Sequence, residues 1–490
     1  IFWRLLKWVS LSKFFTAFGA FISICSYTAR HLIFFCGAGL FYSIFYLQNH
    51  RINSMFVFQK HSKSNTLLLF SYLLLFFIGF CISPTLSAQI KLVNSPYSRV
   101  GLGTMHPTQF AIQRSMGGVS VPYNSAAAIN YGNPASYSQL KLMTMEVGLQ
   151  GNGSWLSTTT EQSMTGSGMI NYLALAFPCA KWWGSSVGLL PYSSLQYDLY
   201  AQRYSTYTDT LLTDHRFIGR GTLYQVYWGN GFKIKNLSLG LNAAYVFGEQ
   251  DRLSQSYFPT IIGAYGNQKT EALQVNGLLW NVGAQYDQKF KDKDFHLVLG
   301  ATAELAQNLS ATRDGKWERY IQSSGSAIDS IYQYEEVSGK VRLPLRWGIG
   351  AALKRDNHWQ VATDYRRENW ADYRIFDAPD STLVNNNVIA IGVEYTPDYR
   401  AITKFWQSAT YRGGFRYNTG RINISETGIK DWSVSLGLGM PLRKVNSRIN
   451  IGFEMGQQGT TSNQLITETF FITTFGFTLN DRWFVKPKYD

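Results

Sequence analysis

Trp347-Gly348-Ile349-Gly350-Ala351-Ala352-Leu353-Lys354 and, beyond a short interval, Trp359-Gln360-Val361-Ala362-Thr363-Asp364-Tyr365-Arg366 carry the pattern that decides the fold. In each stretch apolar or bulky side chains recur at every second position, with Gly, Ala, Gln, Asp, Arg and Lys between them. A strand turns successive side chains to opposite faces, so each stretch reads as a strand with one greasy and one small or polar face. The alternation returns in Ile389, Ile391, Val393 and Tyr395 against Ala390, Gly392 and Glu394, and in Tyr411, Phe415 and Tyr417 against Arg412, Gly414 and Arg416. Strands of this kind either bury their apolar faces together in a soluble sandwich or turn them outward to lipid in a membrane barrel.

Working outward from these stretches, about fourteen candidate strands run from near Leu142 to near Leu479, an even number as single-chain barrels require. The connections alternate. Short ones fall near 178–182, 233–236, 289–294, 354–357, 397–406 and 441–447, and long polar ones near 152–166, 205–219, 254–269, 312–339, 369–386, 418–430 and 457–464. Short periplasmic turns and longer external loops produce that alternation in an outer-membrane barrel, and a sandwich has no reason for it. Trp182, Trp183, Trp359, Trp406, Trp432 and Trp483 are read as lying at or beside the short turns, where an interfacial girdle would sit. The expectation is an all-β, transmembrane antiparallel barrel over 142–480, closed by the Phe-rich strand 471–479, with a periplasmic tail at 481–490.

Composition agrees. Charged residues are 16% of the chain, against about 25% in a soluble domain. No apolar run of about 20 residues follows residue 82, which excludes a helical membrane protein. The segment 55–88 reads as a signal peptide: Lys60 and Lys63, the apolar run from Leu67 to Ile82, then Thr85-Leu86-Ser87-Ala88 before Gln89. Residues 1–54 read as a non-native upstream extension, the other reading being a two-helix membrane anchor. Cys25, Cys36 and Cys81 precede the expected cut and Cys179 alone follows it, so no intramolecular disulfide can form in the mature chain. Of the formal +14, seven Lys or Arg and no acids lie in 1–88, leaving 38 basic against 31 acidic residues, +7. That spread-out excess suits contact with outer-membrane lipid or lipopolysaccharide and contains no nucleic-acid motif.

Residues 89–141 alternate little and are rich in small and turn-forming residues, and they read as a hatch or plug inside the lumen, or as a periplasmic leader. Within them Arg114-Ser115-Met116-Gly117-Gly118-Val119-Ser120, Ala126-Ala127-Ala128-Ile129-Asn130 and Asn133-Pro134-Ala135 resemble the FadL/TodX family of hydrophobic-compound transporters. The resemblance implies a small N-terminal hatch bearing Gly117, Gly118, Asn133, Pro134 and Ala135, then a fourteen-stranded barrel. It further implies a kink in the third strand that opens a lateral path to the membrane. The broad group also includes PorV-like accessory barrels, so membership leaves function open.

The third strand here contains Gly188-Leu189-Leu190-Pro191-Tyr192-Ser193-Ser194. Proline lacks the N–H that a ladder needs, so Pro191 with Gly188 marks either the lateral opening or a bulge at the rim. Tyr257, Phe258, Ile261, Ile262 and Tyr265 form an apolar loop surface that could capture a ligand or simply pack loops together. His106, His215, His296 and His358 show no metal-ligand spacing, and no nucleophile elbow or phosphate loop is present. The expectation is therefore no enzyme, no metal and no cofactor. Two functions follow: passive uptake of hydrophobic small molecules such as long-chain fatty acids with release through the third strand, or an accessory barrel whose external loops bind a partner protein in secretion or membrane-protein assembly.

Overall fold

The computed structural model describes residues 95–204, 212–261, 263–290, 294–322, 324–401, 404–442 and 447–482. The upstream extension, the signal peptide, Ile262, Trp483 and nearly all of the expected tail lie outside the described residues. Fourteen antiparallel strands make up the barrel. They are β1 (Met143–Ser157), β2 (Gln162–Ala180), β3 (Trp183–Ser194, resuming as Tyr197–Tyr204), β4 (Leu212–Ile234), β5 (Leu237–Tyr257), β6 (Tyr265–Lys289) and β7 (His296–Glu304, resuming as Gln307–Ile321). They continue as β8 (Ala327–Leu343, resuming as Arg346–Arg355), β9 (Trp359–Glu368), β10 (Asn386–Tyr395), β11 (Thr410–Asn418), β12 (Asp431–Pro441), β13 (Arg448–Gly459) and β14 (Thr467–Asp481). β14 pairs with β1 from Met143↔Asp481 to Ser157↔Thr467, which closes the sheet. Closure satisfies the backbone groups that an open edge would leave unpaired in lipid.

The alternation that identified β8 is realised in space. Ile349 and Leu353 are 53% and 42% exposed, whereas Ala352 between them is 1% exposed. Val361, Ile389, Ile391, Val393, Phe453, Phe475 and Phe477 continue the outward apolar band around the wall. A band this continuous faces lipid, not water, and makes the barrel membrane-spanning. The short-turn end, periplasmic in such barrels, carries exposed Trp182 and Trp406. Trp432 corrects the sequence reading. It is the second residue of β12, at the long-loop end, where it joins Trp155 in the outer girdle.

Much of four segments read as long loops, 152–166, 205–219, 254–269 and 312–339, is strand. β4, β5 and β6 contain 23, 21 and 25 residues, against 10 in β9 and β10 and 9 in β11. One side of the barrel therefore rises well above the membrane. There both faces of the ribbon meet water, and the apolar alternation that reveals a strand disappears. On the low side the segments 369–385 and 419–430 fold over the mouth, bridged at Leu383↔Ile422. Their buried Trp370, Tyr373, Leu383 and Ile429 join one apolar cluster with Tyr97, Leu102, Leu190 and Tyr192. The connection between β10 and β11 contains one helical turn, Phe405–Ser408.

Candidate functional site

Near the short-turn end, successive strands carry glycine where the pleat turns inward. A Cβ on Gly184, Gly240, Gly283, Gly300, Gly392 or Gly414 would overlap Tyr137 O, Pro134 C, Asn133 Oδ1, Val121 O, Met116 O or Gly117 N respectively. These glycines come from β3, β5, β6, β7, β10 and β11, so the segment 95–142 meets the wall around most of its circumference and lies within the ring of strands. Gly117 and Gly118 have φ of +68° and +78°, backbone that glycine adopts without strain. A side chain on Gly117 would also come within 2.8–2.9 Å of Phe415 O and Ile391 O. Asn133 caps the turn Pro134–Gln139 by accepting from Ala135 N at 3.1 Å, while its Nδ2 donates to Val121 O at 2.6 Å and Ala284 O at 3.3 Å.

Buried polar groups fix the segment in register. Arg114, 5% exposed, donates to Gln150 Oε1 at 2.7 Å and to Glu454 Oε2 at 2.8 Å. Asp364 Oδ2 accepts from Ser120 N at 2.7 Å and Val121 N at 3.0 Å, and Glu146 Oε1 accepts from Ile129 N at 2.7 Å. Charge-assisted bonds of this kind are the stronger ones, and here they connect β1, β9 and β13 to the segment. The sequence signal was an inward glycine recurring on strand after strand, together with carboxylates at inward strand positions. Neither could be assigned a partner before the segment's path was known.

That path descends from the outer end to the inner. Ser95 Oγ donates to Glu468 Oε2 at 2.7 Å beside the outer ends of β1 and β14, and Tyr97 OH bonds Ile466 O in the loop between β13 and β14. Leu102 O accepts from Gln250 on β5, and the Phe110 ring stacks on Tyr172 with centroids 3.9 Å apart. His106 N donates to Tyr192 O at 2.9 Å, and its Nε2 lies 3.0 Å from Ser194 Oγ. Burial pushes the His106 imidazole from 6.5 down to about 4, and Arg114 acts in the same direction. A depressed value means that the contribution to stability is complete above 6.5 and is lost as pH falls toward 4, by up to about 3 kcal/mol. Protection of residues 101–110 against hydrogen exchange, corrected for intrinsic rate, is expected to fall over that window in the native chain and to stay flat in His106→Gln. Identical profiles in the two would remove His106 as the cause.

β2 and β3 pair only near their inner ends, from Ala180↔Trp183 to Leu173↔Leu189. Gly188, opposite Ala174, is the second-last paired position of β3. Beyond it the outer part of β2 is paired to β1 alone, and β3 to β4 alone among the barrel strands. Leu190, Pro191, Tyr192, Ser193, Ser194 and Leu195 are all buried, so β3 has left the lipid-facing surface there. The register against β4 slips between Pro191 and Ser193. Thr104 and Met105 of the N-terminal segment pair with Ser194 and Ser193 and form a strap across the displaced stretch.

Behind the strap lies a cavity of about 330 Å³. It is polar. Arg114, Arg346, Arg366, Arg416 and Arg421 face it, with Glu368, Asp431 and Glu468 and amides such as Gln109 and Asn386. Tyr257, Phe258, Ile261 and Tyr265 lie elsewhere, at the tip of the β5–β6 hairpin, with Ile261 and Tyr265 43% and 54% exposed. Among the described residues no group of three or more His, Cys, Asp or Glu side chains is placed to hold a metal ion.

A closed fourteen-stranded wall, a segment threaded within it and a displaced third strand define a membrane-spanning β-barrel whose fold is that of the FadL/TodX barrels. The chain belongs to the BamG family, whose model matches residues 71–490. The Pseudomonas putida toluene transporter TodX is similar in structure, with a TM-score of 0.52 and 16% identity over 78% of this chain and 99% of that one. The Ralstonia pickettii toluene transporter TbuX gives 0.50 and 15% over 76% and 99%, and a Pseudomonas aeruginosa FadL homologue 0.50 and 12% over 77% and 99%. At such identities the likeness is one of fold. No curated protein sequence matches the chain.

Proposed function

We propose that the protein passes small molecules with an apolar body, such as long-chain fatty acids, between the barrel interior and the membrane through the seam between β2 and β3. The observation that carries this reading is the end of β2–β3 pairing at Leu173↔Leu189 together with the burial of β3 from Leu190 to Leu195. Unpaired strand backbone in hydrocarbon is costly, so a seam of this kind is retained where passage requires it. Transport in this reading is passive: Tyr257, Phe258, Ile261 and Tyr265 supply a first apolar surface outside, and the Thr104–Met105 strap yields to open the seam. The fold relatives that transport toluene support the class of cargo. The polar cavity favours molecules with a polar head over neutral hydrocarbons.

Pro191→Ala restores one ladder donor, worth about 1 kcal/mol or roughly fivefold in a closed-to-open ratio. Extraction of the purified barrel followed by mass spectrometry is expected to find apolar molecules enriched over an unrelated barrel, and severalfold fewer of them in the variant. An empty native barrel would sink the reading.

A second reading, an accessory barrel that docks a partner protein in secretion or membrane-protein assembly, has its own observation. The interior is occupied by the N-terminal segment, while the tall β7–β8 ribbon exposes Trp317, Ile328, Ile331 and Tyr332 at 46%, 46%, 51% and 61%. A stoichiometric protein companion in the same purification, with no lipid, would favour it.

A further inference from the structure

We propose that the cavity behind the strap is a binding site for an anionic group, a phosphate or a carboxylate, carried by a small polar molecule or a lipid headgroup. Three of its five arginines are already matched. Arg114 and Arg416 meet Glu454 at 2.8 and 2.9 Å, Asp431 lies 3.6 Å from Arg416, and Arg346 is paired with Glu304. Arg366 and Arg421 differ. Neither is in an ion pair among the described residues. Arg366 donates to Gly118 O at 3.3 Å, and Arg421 to Gly103 O. Asp364 and Glu368 lie near Arg366, and Glu368 near Arg421, but Asp364 Oδ2 accepts from Ser120 N and Val121 N, and Glu368 Oε2 from Trp370 Nε1 at 2.8 Å and Asn386 Nδ2 at 3.0 Å.

Arg366 Nε and Arg416 Nε are themselves fully buried without a hydrogen-bond partner, as are the neighbouring carboxylate oxygens Asp364 Oδ1, Asp431 Oδ1 and Glu454 Oε1. The planar guanidinium fork matches the oxygen spacing of phosphate and carboxylate, and Arg421 Cζ lies over the Trp370 ring, 5.0 Å from its centroid. Gln109, Asn386 and Asn418 supply further polar groups around the same space. A volume of about 330 Å³ is at the small end of ligand cavities and suits a headgroup or a small metabolite-sized anion. An apolar molecule placed there would strip solvent from the cavity-lining arginines and offer them no acceptor in return. The site goes beyond the transfer reading and stands whether the barrel passes lipid or docks a partner.

The test uses the purified mature barrel in phosphate-free detergent, titrated calorimetrically with inorganic phosphate, octyl phosphate and octanol. Octyl phosphate is expected to bind and octanol not. Equal binding of inorganic phosphate identifies a free anion as the ligand, and binding of octyl phosphate alone identifies a lipid headgroup. Arg366→Gln with Arg421→Gln is expected to weaken binding at least about tenfold, the scale of losing charge-assisted hydrogen bonds. Arg421→Lys, which keeps the charge and loses the fork, should fall between. Octanol binding as tightly as octyl phosphate overturns the proposal on the native protein alone, however the variants fold. So does undiminished octyl phosphate binding by the double variant, or binding of neither phosphate by the native chain.

Discussion

Arg114→Ala is expected to unseat the N-terminal segment while leaving the barrel wall intact. The guanidinium is 5% exposed and carries two bonds, to Gln150 on β1 and Glu454 on β13. Removing it leaves the 8%-exposed Glu454 carboxylate with Arg416 as its remaining ion-pair partner, at 2.9 Å. Because Arg416 still pairs with Glu454, the cost is that of two lost charge-assisted hydrogen bonds, about 1.5–3 kcal/mol each, and not that of a stranded charge. The wall is held by fourteen ladders and does not depend on that pair. The measurable result is a barrel that still migrates as folded in unheated gels, with residues 95–141 newly open to protease and a larger single-channel conductance. Arg114→Lys keeps a charge but cannot reach both partners with a planar fork, and should give an intermediate. Native protease resistance in Arg114→Ala would show that the glycine contacts alone seat the segment.

The second large effect comes from those glycines. Gly240→Val with Gly414→Val places side chains into the backbones of Pro134–Ala135 and Met116–Gly117. By strand preference alone valine improves both positions. Here the space is occupied by main chain, which cannot rotate away, and overpacking costs about 1–3 kcal/mol at each site. The variant should therefore form a barrel at least as resistant to heat as the native one and yet lose its plug, read out as protease sensitivity near Met116 and raised conductance. A variant that retains native protection and conductance would mean that the segment can shift along the wall without loss.

The fold was legible because lipid imposes a rule on sequence. Ile349, Leu353, Val361, Ile389 and Val393 have to be apolar, and their neighbours need not be, so strands inside the membrane announce themselves. The outer halves of β4 to β8 are under no such rule, and 312–339 looked like a loop for that reason. Attention to the third strand came from the family resemblance, and proline chemistry then singled out Pro191 within it. The cavity could not be. Arg366 and Arg416 were legible as inward residues of their strands, but Arg421 and Trp370 sit in segments with no periodicity, and only folding over the mouth brings them near. The glycines were visible as small residues on the inner face. What made them small was the N-terminal segment, whose contacting residues lie from 47 to 297 positions away in sequence.

The descent of the segment from Ser95 at the outer end of β14 to Leu142 at the inner end of β1 also constrains the order of assembly. The earliest part of the described chain ends enclosed by the latest: β14 has to zip against β1 with the segment already between them, or the segment has to thread a finished ring. The first route needs no opening wider than the chain already fills. On that route the segment is a mandrel on which the barrel is wound, and closure of the last strand is the step that traps it.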